Sequence, residues 1–218
     1  MSFTNRKEAG EQLANALERF RKEDTVVIAL PRGGVEVALP ICRRIKAPMT
    51  LLLVRKLGLP AQPELAMGAI VDGEKPVTVR NENVIGFSGV GQDEFDAVAA
   101  RELMEIHRRN KLYFGGRDPV PIEGRVAIVV DDGIATGATV RAAIKGLKAR
   151  NPARIVLAVP VASQEALDML RDEVDEVVVL EGLSALGAIG FSYQDFPQLT
   201  DADVIAALNE ADTARKRH

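Results

Sequence analysis

Two adjacent carboxylates, Asp131 and Asp132, stand where the apolar run Ile128-Val129-Val130 gives way to Gly133-Ile134-Ala135-Thr136-Gly137-Ala138-Thr139. The run reads as a buried strand, and the turn rich in Gly, Ala and Thr reads as the lead into a helix. In an open α/β sheet, ligands bind in the crevice outside the carboxyl ends of the strands. A helix start offers unpaired backbone N–H groups, and the hydroxyls of Thr136 and Thr139 would stand beside them, a ready seat for phosphate. The carboxylates would repel that phosphate. They suit sugar hydroxyls, whose hydrogen bonds they can accept, or a cation. A ribose 5-phosphate carries a phosphate at one end and a vicinal diol nearby, and so satisfies both halves. The bland alternative is a plain strand–turn–helix with a glycine for the turn. Two rival phosphate motifs are missing: no Gly-Lys-Ser/Thr follows the glycine, and no G-x-G-x-x-G follows a strand. Gly89-Val90-Gly91 begins such a pattern, but Glu94 occupies its third glycine position.

Two further strand ends carry chemistry. Pro31-Arg32-Gly33-Gly34 follows the apolar run Thr25–Leu30 and precedes a helical pattern. Glycines there let backbone approach an anion closely, and the helix start again leaves N–H groups free. Arg55-Lys56 follows the run Thr50–Val54 and would put two cations at the same edge. Taken singly, each has an ordinary reading as a charged turn. Together the three ends supply an anion nest, two cations and a diol-plus-phosphate site.

At these residues the chain resembles the type I phosphoribosyltransferases, which bind 5-phosphoribosyl 1-pyrophosphate (PRPP). Their signature is an apolar strand, two acidic residues and a Thr-Gly-containing loop, matched here by Asp131, Asp132 and Ala135 to Thr139. The resemblance implies a set of roles. Asp131 and Asp132 would hold the ribose hydroxyls, while Ala135, Thr136, Gly137, Ala138 and Thr139 would hold the 5-phosphate. Arg32, Gly33 and Gly34 would form the pyrophosphate loop, with a non-proline cis peptide expected at Arg32–Gly33. Arg55 and Lys56, with the two acids, would be the catalytic groups. Mg²⁺ would be the cofactor, carried in by PRPP and touching Asp131 and Asp132 if it touches the protein at all. The second substrate would be a small nitrogen acceptor, a nucleobase above all. Relatives acting on 6-oxopurines carry an aspartate at the position of Ala135, whereas adenine-type relatives carry Ala. The resemblance also implies a hood over the base, for which residues 182–200 are the candidate, with Phe191 and Tyr193 as base-binding residues near Phe196. Packing of the terminal segment explains those aromatics equally well. Two other functions stay open: a non-catalytic PRPP-sensing regulator, and a hydrolase or phosphorylase on another sugar phosphate. By analogy with relatives, a homodimer is expected.

The elements that must position these residues read as an α/β fold. Continuous apolar runs at Thr25–Leu30, Thr50–Val54, Val126–Val130, Ile155–Val159 and Val177–Leu180 suit strands covered on both faces. Helical patterns at Val35–Ile45, Thr139–Ala149 and Gln164–Leu170 separate most of them, which argues for a doubly wound, mainly parallel sheet with helices on both faces. Leu13, Ala16, Leu17 and Phe20 share one face of a leading helix, and Thr200 with Asp203 resembles a capping box for a last one. The stretch 58–116 is too long for one crossover. It reads as an inserted strand pair, Ala66–Val71 and Pro76–Val79, then a helix over Gln92–Leu112, and as a lid within a single domain spanning 1–218. The 218 residues are 47% hydrophobic and 27% charged with a net charge of −3, which makes no electrostatic case for a nucleic-acid partner. The basic tail Arg215 to His218 reads as a solvated helix end. The lone Cys42 excludes an internal disulfide, no apolar stretch approaches a membrane span of about 20 residues, and the start lacks a signal-peptide core. A cytoplasmic location is expected.

Overall fold

The computed structural model describes residues 3–73, 75–116, 120–183 and 187–216, with side chains to residue 214. The basic side chains of the tail, Arg215 to His218, therefore lie outside the described residues. Elements α1 (Arg6–Ala16), β1 (Thr25–Ala29), α2 (Gly34–Ile45) and β2 (Met49–Leu51) come first. An antiparallel group follows: β3 (Val54–Gly58), β4 (Ala66–Val71), β5 (Val77–Arg80), α3 (Glu82–Ser88) and α4 (Gln92–Phe114). The chain then returns with β6 (Val126–Val130), α5 (Ala138–Lys148), β7 (Arg154–Ala162), α6 (Gln164–Leu170), β8 (Glu176–Gly182) and α7 (Asp201–Lys216).

The main sheet has the order β2-β1-β6-β7-β8, and all its pairs are parallel. Alternation along each strand divides the core in two. Val27, Ala29, Ile128, Val130, Val156 and Ala158 face α1, α2 and α7. Val26, Ile28, Ala127, Val129, Ile155 and Leu157 face α5 and α6. Both faces are covered, as the unbroken apolar runs require. The first crossover places β2 on one side of β1, and the chain later returns to place β6 on the other. The boundary between β1 and β6 is thus the topological switch point, where open α/β sheets hold their ligands.

The run expected as one strand, Thr50–Val54, is divided. Parallel pairing ends at Leu51, and Val54 opens β3 in a second sheet of order β3-β4-β5. Between them Leu53 donates to the Asp72 carboxylate at 3.1 Å and accepts from the Asp72 N–H at 2.9 Å. Hydrophobic continuity does not mark where a chain passes from one sheet to another, since both sheets want the same apolar residues. The inserted strand pair is present as β4 and β5, with β3 as a third strand, and α4 runs two residues past the expected end. Helix α3, capped by the Asn81 side chain, is an element that the sequence patterns do not announce. At the other end, Thr200 and Asp203 form the capping box, with Asp203 Oδ2 at 2.7 Å from the Thr200 N–H and hydroxyl, and Val204, Leu208 and Ala211 are buried.

Residues 192–195 pair with the beginning of the described chain. Phe3 donates to the Ser192 carbonyl at 3.0 Å, and Gln194 and Asp195 donate to Phe3 and Thr4 at 2.9 Å each. Phe3 and Tyr193 form the center of a third small cluster with Ala9 and Val161. Among the described residues no helix is long and apolar enough to cross a membrane.

Candidate functional site

The loops after β1 and β6 meet at the switch point. Leu30 donates to the Val130 carbonyl at 2.9 Å, continuing the ladder to the last residue of each strand. Beyond it the approach is closer than side chains allow. A β-carbon at Gly33 would overlap the Asp132 carboxylate, and one at Gly34 would stand 2.6 Å from the Val130 carbonyl oxygen. The glycines of the Arg32-Gly33-Gly34 loop are there because the acid pair lies against them. The cis peptide of this loop is at Pro31–Arg32, one bond earlier than the resemblance implied. Arg32 is half-buried at the start of α2, with its charge felt at the Tyr113 hydroxyl near the end of α4.

Asp131 and Asp132 directly follow β6, and Asp132 is held by a cation. Arg6, in the first turn of α1, places Nε 2.8 Å from Asp132 Oδ2 and donates through Nη1 to the Pro197 carbonyl at 2.8 Å. Its guanidinium lies 3.6 Å from the center of the Phe196 ring, and Glu36 is 3.9 Å away. Arg6 is only 5% exposed. The Asp132 N–H donates to Asp131 Oδ1 at 2.9 Å. Burial raises both carboxyls, Asp131 well above the usual range with the Asp132 charge as the second cause, while Arg6 opposes the rise at Asp132. Sequence reasoning passed over Arg6. Its signal was an arginine at helical spacing with Ala9, Gly10 and Leu13, on the face that must be buried.

The turn after the acids is held from the side by β7. Ile134 donates to the Val161 carbonyl and accepts from the Ser163 N–H, each at 2.9 Å, and the Ser163 hydroxyl donates to the Ala135 carbonyl at 2.6 Å. Gly137, at φ +75°, turns the chain into α5 with no side-chain cap. Ala135, Thr136, Ala138 and Thr139 are all exposed around that uncapped helix start. Free N–H groups of a helix start beside two hydroxyls form an anion seat.

The remaining sequence-derived candidates are placed differently. Arg55 and Lys56 do not leave a strand of the parallel sheet. They lie on β3, where Arg55 pairs with Glu102 of α4 at 2.7 Å and Lys56 with Glu64 at 3.6 Å. Tyr193 is 1% exposed, its ring stacked on Phe196 at 4.8 Å and tilted against Phe3, so it presents no free face. Its hydroxyl instead donates to the Asp132 carbonyl at 2.6 Å. Phe191 is 68% exposed on the turn 189–192, whose Ile189 packs directly against Gly133. Thus the structure gathers Arg32 to Gly34, Asp131, Asp132 and Ala135 to Thr139 at one edge with Phe191 close by, and pairs the two β3 cations with acids of the insert.

A strand-end acid pair, a phosphate-type turn and a glycine loop at one switch point agree with a match to the phosphoribosyl transferase domain over residues 5–195. The chain belongs to the phosphoribosyltransferase family. Two Mycobacterium tuberculosis proteins, of strains CDC 1551 and H37Rv, provisionally named phosphoribosyl transferases, are each 42% identical to it over 209 residues. That alignment takes in 96% of this phosphoribosyltransferase chain and 47% of theirs, so the chain spans about half the length of these curated relatives. The crystal structure of TT1426 from Thermus thermophilus is 39% identical, with a TM-score of 0.82 over 96% of this chain and 99% of that one. AQ2163 from Aquifex aeolicus, 13% identical with a TM-score of 0.53 over 94% of this chain and 84% of its own, shares the fold.

Proposed function

We propose that the protein transfers ribose 5-phosphate from PRPP to a nitrogen acceptor, a nucleobase by preference, and releases pyrophosphate. The observation that carries this reading is the contact of the Asp132 carboxylate with Gly33. It brings the acids that would take the diol and the loop that would take the anion together at one edge of the sheet, which supports a ligand carrying both groups. The acceptor nitrogen donates its lone pair to C1 as the bond from C1 to the pyrophosphate oxygen breaks, and positive charge gathers on the ring meanwhile. Residues 135–139 hold the 5-phosphate, Asp131 and Asp132 accept from the ribose hydroxyls, and the Arg32–Gly34 loop receives the leaving group. Arg55 and Lys56 join that group if the insert, 58–116, folds over the site and excludes water that would hydrolyse the activated sugar. The hood 182–200 offers the exposed Phe191 ring as a stacking face for the acceptor.

The donor set fits Mg²⁺ in the way that ion usually binds. Among the described residues no three candidate ligands converge, so one or two carboxylates would share the ion with substrate oxygens. Asp131 and Asp132 are the residues to hold it, and their crowded negative charge is what a cation would relieve. Held there, Mg²⁺ would supply positive charge against the negative charge that develops on the leaving group.

The second reading is a PRPP-sensing regulator, favored by one observation: both β3 cations are already engaged by acids of the insert. One experiment separates the two. Purified protein is incubated with PRPP, Mg²⁺ and pooled purines, pyrimidines and small amines, then analysed by mass spectrometry. A new ribonucleotide with matching pyrophosphate supports the transferase and names its acceptor. Binding of PRPP without consumption supports the sensor. A protein that does not bind PRPP overturns both.

A further inference from the structure

Resting on that reading of the acid pair as the ribose site, we infer that Arg6 is a positioning residue that ties Asp132 to the hood. The acid is grasped at two points. Arg6 Nε holds its carboxylate at 2.8 Å, and the Tyr193 hydroxyl holds its carbonyl at 2.6 Å. Both grips come from one assembly. Arg6 also bonds the Pro197 carbonyl and lies on the Phe196 ring, Phe196 stacks on Tyr193, and residues 192–195 are zipped to Phe3 and Thr4 just before α1. The arginine is buried, and its contacts with Asp132, Glu36, Pro197 and Phe196 all fall within this assembly and the rim of the site.

A buried arginine on a helix face costs desolvation, and an apolar residue would serve packing alone at least as well. Its planar guanidinium, however, holds a carboxylate through Nε and a main-chain carbonyl through Nη1 in one fixed geometry, which a point charge does not. With Oδ2 engaged by Arg6, Asp132 has Oδ1 left for a sugar hydroxyl. Displacement of the hood at 193–197 therefore moves the acid, and a ligand on the acid bears on the hood. Acceptor side and ribose side are coupled through a single residue.

The test compares two probes on wild type, Arg6→Gln, Arg6→Lys and Tyr193→Phe, by calorimetry. Ribose 5-phosphate needs both the phosphate turn and the acids, whereas inorganic phosphate needs the turn alone. The ratio of the two affinities is the readout, because general loosening of the fold weakens both probes together. Arg6→Gln should reduce ribose 5-phosphate affinity at least tenfold while phosphate affinity stays within twofold, and Arg6→Lys should recover part of the loss. Tyr193→Phe keeps the ring packing, removes one hydroxyl, and should lower the ratio about threefold; it keeps the test alive if Arg6→Gln does not fold. An unchanged ratio in the folded variants overturns the positioning role while leaving the site itself intact. Failure of wild type to prefer ribose 5-phosphate over phosphate overturns the reading of the acid pair instead.

Discussion

Asp131 and Asp132 are adjacent, largely buried carboxylates, and Arg6 is bonded to Asp132 alone among the described contacts, so the pair has a cost in stability. Their folded pKa values are raised, by burial first. A raised carboxyl favors the fold below its unfolded value, near 3.8, and that advantage is lost as pH rises through the folded value. At pH 7–8 the pair is therefore a liability, and Asp131→Asn should raise thermal stability, on the order of 1 kcal/mol, as removal of strained site charge commonly does. Asn keeps the acceptor for the Asp132 N–H. The same change should weaken PRPP binding, since the ribose hydroxyls lose an anionic acceptor. Calorimetry and a melting curve on one preparation check both halves, and a variant that melts lower at pH 8 sinks the electrostatic account. Gly33→Ala probes the facing loop. Its β-carbon must displace the acid, a misfit of about 1–3 kcal/mol that predicts roughly tenfold or greater loss of PRPP affinity. The convergence of these residues was largely legible, because the acid pair, the turn and the glycine loop are each contiguous in the chain. Arg6 was not, being 126 residues from the acid it serves. Tyr193 was misjudged for a related reason: the sequence shows an aromatic cluster but not which faces are already covered.

Elements were legible where one periodicity ruled. The parallel strands and their connecting helices follow from apolar runs and caps. The passage from β2 to β3 does not, because Leu52 and Leu53 are buried whichever sheet they serve. That passage is held by a clasp between the insert and the turn that follows α5. Asp72, 7% exposed, accepts from the Leu53 N–H and from Arg150 Nη2 at 3.1 Å each, and burial raises its carboxyl against the pull of Arg150. Arg150→Ala leaves a buried carboxylate unpaired and should destabilise the protein by about 3 kcal/mol. Since the raised carboxyl is fully accommodated only at low pH, the loss should be larger at pH 8 than at pH 5. Urea melts at both values decide it, and an equal loss would show that the ion pair is not the cause. The strand β3, which leads into the insert, carries Lys56, half-exposed. If the insert closes over the leaving group, Lys56→Ala should lower turnover by the ~2.7–4 kcal/mol typical of a lost transition-state charge partner, with an unchanged melting temperature. Wild-type turnover in that variant excludes Lys56 from the chemistry.

For the molecule as a whole, the parallel sheet brings two distant loops to one switch point, and a ligand bridging them should hold the fold together. PRPP with Mg²⁺ at about 100 times its Kd should add about 2.7 kcal/mol, which for a chain of this size is a rise in Tm of roughly 5–10 °C. No shift at saturating PRPP would contradict the site. The placement of Tyr193 then has a practical consequence. The chain has no tryptophan and two tyrosines. Tyr113 donates its hydroxyl to Asp201, and Tyr193 donates its own to the main chain of Asp132. With excitation at wavelengths that only tyrosine absorbs, the ultraviolet emission therefore comes from two side chains, one of them hydrogen-bonded to the main chain of Asp132. A ligand that moves Asp132 should change the tyrosine emission, and a titration with PRPP read without a label checks it.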